Sequence, residues 1–168
     1  IAVAHARLGS ETSEIVMALE NSVGAKATTS AQKEIVNRSY LFLGYIFYEE
    51  NTLSKAVVAL RMVPTSSYYA EDALLGQGWT ALKARQWTDC IATGQLLTKT
   101  SQKGVLQCEG MLIQSYGHLL QKQYAQSMDV LNVASEKIRA LSVQSDDTLN
   151  YSRMQYESNR MSHNFLAD

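Results

Sequence analysis

The side chains that could move protons or hold a metal are few, and they are poorly arranged for either task. His5, His118 and His163 stand far apart, and none has a Cys, Asp or Glu at the three- or four-residue step of a helical metal site. His118 falls at a packing position, so a hydrogen-bonded, half-buried imidazole is expected there. Three adjacent acidic pairs occur, Glu49-Glu50, Glu71-Asp72 and Asp146-Asp147. General acid and base work needs two carboxylates aimed at one centre in environments that separate their pKa values, and sequence neighbours on a helix point apart. Glu71-Asp72 and Asp146-Asp147 instead suit helix starts, where negative charge complements the dipole or caps the first turn, and Glu49-Glu50 closes a helix. Cys90 and Cys108 show no motif and read as free thiols in helices. No glycine-rich phosphate loop and no Ser, His and acidic constellation can be traced. The expectation is a protein without catalytic residues, metal or cofactor.

What does recur is apolar recognition chemistry. Tyr45, Trp79 and Tyr116 each follow a small residue, Gly44, Gly78 and Ser115, at spacings of 34 and then 37. Leu41, Leu75 and Leu112 repeat one helical turn earlier, and Tyr48, Leu82 and Leu119 one turn later. Rigid aromatics bring large contact area at little rotamer cost, which suits them to anchoring a partner; the competing use of such rows is packing between repeats.

Whatever positions these rows must be helical. At 168 residues with 46% apolar content the chain can build a core. Its net charge of −1, from 15 basic and 16 acidic side chains, provides no field for nucleic acid or anionic lipid. No apolar run approaches the roughly 18 residues of a membrane span. Charged residues make up only 18%, with Ser, Thr, Gln and Asn filling much of the polar surface, which leans towards a bacterial envelope or periplasm over the cytoplasm. The chain opens on Ile1 without a visible targeting signal, as a fragment or processed form would.

Thr29 and Gln32 form a capping-box pattern before a helix striped by Ile35, Val36, Tyr40, Leu43, Gly44 and Phe47. A break at Glu50-Asn51-Thr52 precedes a second helix with Leu53, Ala56, Val57, Leu60 and Val63 on one face, stopped by Pro64. Adding 34 finds Leu74, Gln77, Gly78, Ala81, Cys90 and Gly94, with Trp87 and Ile91 opening the second helix. A further 37 finds Met111, Gln114, Ser115, His118, Ser127 and Leu131, with Tyr124 in the place of Trp87. Three extra residues fit the polar stretch from Thr98 to Gly104. Gly44 is expected to let the first helix approach the second, with Ala56 receiving it.

The pattern Tyr40, Leu43, Gly44, Phe47, Ala56, Leu60 resembles the tetratricopeptide repeat (TPR) family, strongest over 37–98 and traceable over about 24–138. Gln77, Gln114, His118 and Gly94 depart from it, and Pro64 falls earlier than the family's proline. The resemblance implies an all-α, right-handed α-solenoid of antiparallel helical hairpins at about 30–64, 66–100 and 104–142. A truncated hairpin would precede them at 1–24, from the Arg7-to-Ser10 turn through Ile15, Ala18 and Leu19. A capping or linking helix would follow at 145–168, where Tyr151, Met154, Met161 and Phe165 share one face.

The resemblance also implies that the Leu41, Tyr45 and Tyr48 rows, with Leu75, Trp79, Leu82, Leu112, Tyr116 and Leu119, face a concave groove. Arg38, Glu49, Asp72, Lys83 and Glu109 would rim it. The expected function is a non-enzymatic scaffold that holds a peptide or helix of a partner protein. The alternative is a spacer or self-associating segment, a homo-oligomer, within a longer superhelix.

Overall fold

The computed structural model describes residues 12–144, which form seven α-helices and, among the described residues, no strand. In chain order these are α1 (Thr12–Gly24), α2 (Ser30–Glu49), α3 (Leu53–Arg61), α4 (Ala70–Lys83), α5 (Trp87–Thr100), α6 (Gly104–Leu120) and α7 (Tyr124–Gln144). The protein is all-α. The Arg7-to-Ser10 turn, the Asp146-Asp147 cap and the Tyr151-to-Phe165 face lie outside the described residues.

The α2 start is the expected capping box: Gln32 N donates to Thr29 Oγ1 at 3.2 Å, and Thr29 N donates to Gln32 Oε1 at 3.1 Å. At the other end of the unit α3 stops at Arg61, ahead of Pro64, because the proline ring disfavours helical backbone in the residue before it. Val63 therefore lies beyond the helix, yet it is buried.

Each of the helices α2, α4 and α6 closes with the same turn. Asn51, Arg85 and Lys122 adopt left-handed backbone, with φ of 60°, 59° and 63°. The following amides donate back to the helix, Thr52 N to Phe47 O at 2.8 Å, Gln86 N to Ala81 O at 2.9 Å and Gln123 N to His118 O at 2.9 Å. These three turn residues are spaced 34 and then 37 apart, as are Gly44, Gly78 and Ser115. The backbone thus repeats in the register of the side chains.

Every helix packs on its chain neighbours, and beyond those only α2 with α4 and α4 with α6 touch among the described residues. The core is accordingly a file of three clusters. Ile15, Leu19, Leu43, Phe47, Ala56 and Ala59 join α1, α2 and α3. Leu41, Leu60, Val63 and Ala73 join α2, α3 and α4. Leu75, Ala81, Cys90, Leu97 and Ile113 join α4, α5 and α6. Ile35, expected on the buried stripe of α2, is 60% exposed, because α2 turns its Leu41, Leu43 and Phe47 side inward instead.

Glycines set the spacing of these layers. A Cβ on Gly44 would overlap Leu60, so Leu60 and not Ala56 receives that approach; Ala56 is buried towards α1 and α2 instead. In the next unit the position of Leu60 is Gly94, and the gap over Gly78 is filled from α6 by Ile113. The consequence is a backbone-to-backbone crossing of α5 and α6. A Cβ on Gly94 would stand 2.5 Å from Gly110 O and 2.7 Å from Gln114 N, and one on Gly110 would stand 2.7 Å from Gly94 O.

Candidate functional site

The three rows lie along α2, α4 and α6, and their exposure rises from the first helix to the last. Leu41 and Leu75 are buried at 4% each, while Leu112 is half-buried. Tyr45 and Trp79 are half-buried and Tyr116 is 39% exposed; Tyr48 and Leu82 are half-buried and Leu119 is 44% exposed. The cause is stacking: Leu41 packs with Ala73 of α4 and Leu75 with Ile113 of α6, whereas no described first helix follows α6. Leu41 and Leu75 are thereby corrected from groove floor to core, where they offer no surface to a ligand.

Tyr45 illustrates the stacking. Its ring lies over Gly76, where a Cβ would come within 2.9 Å, and its hydroxyl donates to the Asp72 carbonyl at 3.0 Å. Burial, reinforced by the Asp72 charge, pushes its phenol well above the usual tyrosine range, so it stays neutral. Trp79 makes the corresponding contact with Tyr116, at a centroid distance of 6.2 Å and an interplanar angle of 54°, a tilted aromatic pair. Trp79 also packs on the cluster around Leu97 and Ile113.

The charged rim is partly engaged. Lys83 Nζ donates to Tyr48 O at 2.7 Å and lies 4.2 Å from the Tyr48 ring centroid, a cation–π contact that covers one side of the ring. The Arg38 guanidinium stands 5.1 Å from the Phe42 ring. Burial raises the Glu109 carboxyl above its ordinary range. What is left open is the α6 end of the face, where Tyr116 and Leu119 are exposed and Tyr116 packs against Trp79.

Two carboxylates fasten one helix pair to the next: Glu34, which the sequence reading did not single out, and Glu71, which it placed at a helix start and which does lie in the first turn of α4. Glu34 on α2 accepts from Ser67 Oγ at 2.8 Å and Tyr68 N at 3.3 Å, pinning the 62–69 connection. Glu71 on α4 pairs with Lys103 at 3.1 Å, pinning the 101–103 connection. Burial works to raise the Glu71 pKa, but hydrogen bonds from Lys103, Ser101 and Gln102 and the Lys103 charge outweigh it and hold the carboxyl below its usual range. Glu34 and Glu71 stand 37 residues apart, not the 34 that relates α2 to α4, so the repeat register gave no signal for this shared role.

The remaining reactive side chains are in structural settings. His118 is half-buried, with Nδ1 2.6 Å from Gln123 Oε1, bridging the α6–α7 turn. Cys90 is free and fully buried, its Sγ 3.2 Å from Ile113 O, and burial pushes its thiol up to about 11. Cys108 is also a free thiol, half-buried. Among the described residues no group of three or more His, Cys, Asp or Glu could hold a metal ion, and no helix is long and apolar enough to cross a membrane.

Comparison with protein-family models, with curated proteins and with solved structures finds no match to this chain.

Proposed function

We propose that the chain is a right-handed α-solenoid of TPR-like antiparallel hairpins, and that it serves as a non-enzymatic scaffold holding a peptide or helix of a partner protein. Support for the repeat comes from the left-handed turns at Asn51, Arg85 and Lys122 and from the file of local helix contacts. The observation that carries the binding reading is the Trp79–Tyr116 pair. It runs across two neighbouring first helices and continues into the open side chains of Tyr116 and Leu119. Aromatic anchors of this kind, set in an apolar surround, commonly dominate binding energy. A bacterial envelope or periplasmic setting is supported by the low charge content alone.

A second reading, a spacer within a longer superhelix, is favoured by the burial of Leu41, Tyr45 and Leu75, which spends the α2 end of the rows on stacking. A photo-reactive residue placed in the native cell at position 119 separates the two. The scaffold reading expects a discrete adduct with another protein, absent when the probe sits at Val58 or Leu96, which are exposed on α3 and α5. Adducts formed only with further copies of this chain would favour the spacer, and equal labelling from all three positions would remove the face from consideration.

A further inference from the structure

The face on which Tyr116 and Leu119 are exposed is not purely apolar. At 100° per residue Glu109, Leu112, Tyr116 and Leu119 fall within an arc of about 80° on α6, with Glu109 two turns before Tyr116. Glu109 is half-buried, and among the described residues no hydrogen bond or ion pair reaches its carboxylate. Burial alone raises its pKa, with no cation pulling the other way. Glu34 and Glu71, by contrast, are met by Ser67 and Lys103.

The cations of the neighbouring elements are engaged elsewhere. Helix α6 carries no Lys or Arg of its own. The one basic residue of α4, Lys83, turns to the carbonyl and ring of Tyr48 on α2. Lys103 pairs with Glu71, and the Lys137 charge of α7 acts on the Cys108 thiol, one residue round the helix from Glu109. In the repeat register the counterparts of Glu109 are Asp72 and Arg38, so this rim position passes from basic on α2 to acidic on α4 and α6. The acidic end coincides with the exposed apolar end. A carboxylate held half out of water without a counter-charge gains most from a cation brought to it.

We infer that the partner segment held on this face is basic, setting a Lys or Arg against Glu109 while an apolar side chain meets Tyr116 and Leu119. The inference rests on the scaffold reading and specifies the kind of segment the scaffold selects. The geometry fixes the spacing as well as the sign. From Glu109 to Tyr116 α6 rises about 10.5 Å, which a partner matches with two helical turns or with three residues of extended chain. A neutral or acidic segment laid over the same face would bury Glu109 further without a counter-charge, and would bind less well for it.

Selection of a random dodecapeptide display library on the full chain tests this. Binders that are lost on a chain carrying Tyr116→Ala and Leu119→Ala should hold a Lys or Arg at one of those two spacings from an apolar residue. The most enriched of them, synthesised, should bind Glu109→Gln at least about tenfold more weakly than wild type and with a shallower dependence on salt. Selection on Glu109→Lys should put Asp or Glu in place of the basic residue. Should Glu109→Lys lose helicity, the near-isosteric Glu109→Gln decides. Face-dependent binders that lack a basic residue, or that bind Glu109→Gln as tightly as wild type, overturn the basic partner and leave the scaffold reading standing. A library that yields no binder dependent on Tyr116 and Leu119 removes the scaffold reading and this assignment together.

Discussion

Arg85 and Lys122 hold left-handed backbone without being glycine, and each such residue costs about 1 kcal/mol relative to glycine. Lys122→Gly and Arg85→Gly should therefore each stabilise the fold by about 1 kcal/mol, read as a higher denaturant midpoint at unchanged m-value, and Asn51→Gly by less because asparagine tolerates this region. The turn was legible at Asn51 only as a break in the pattern, and it was not legible at Arg85 or Lys122. Neither residue signals φ > 0; the preceding helix imposes it through the amides of Gln86 and Gln123. Glu109 makes a second test at this scale. Its folded pKa lies above the unfolded one, so the native state binds more protons between the two, and stability falls as pH rises through that window. Glu109→Gln should raise Tm at neutral pH and change it little near pH 4, whereas a Tm gain equal at both would place the effect elsewhere. Glu71 has the opposite sign: its contribution is present above the ordinary glutamate range and is lost as pH falls through its lowered value.

At the scale of elements, α5 crosses α6 backbone to backbone, where Gly94 and Gly110 bring main chains together. An added methyl there meets backbone, which cannot swing aside; at Gly78 it meets the far end of Ile113, 2.9 Å from Cδ1, which can. Gly94→Ala and Gly110→Ala should each destabilise by about 1–3 kcal/mol even after the gain in helix propensity. Gly78→Ala should cost less, and Gly24→Ala, which meets nothing within 4 Å, should stay within about 0.5 kcal/mol of wild type. Equal effects at all four positions would contradict the packing order. The sequence reading located the helices and the small residues at Gly44 and Gly78 well, because periodicity and spacing are local. It treated Gly94 as a departure from pattern, since the reason for it is a second glycine sixteen residues away on another helix. Likewise it paired Gly44 with Ala56, whereas the space is filled by Leu60, one turn further along α3.

Across the whole molecule the contacts form a file, so burial depends on whether a further helix follows. That is why one row of equivalent residues could be read from the sequence while its division into core and surface could not. Tyr45 is covered by α4, Trp79 leans on Tyr116, and Tyr116 has no described first helix beyond it. Trp79→Ala consequently tests folding as much as binding, since Trp79 packs on the Leu97 and Ile113 cluster. The decisive measurement is the affinity of the protein captured at position 119 for a chain carrying Tyr116→Ala and Leu119→Ala, with thermal unfolding recorded alongside. The expected result is a loss of about 2 kcal/mol or more, roughly thirtyfold in Kd, at nearly unchanged helicity. An unchanged Kd in a folded variant would contradict a binding face along α4 and α6.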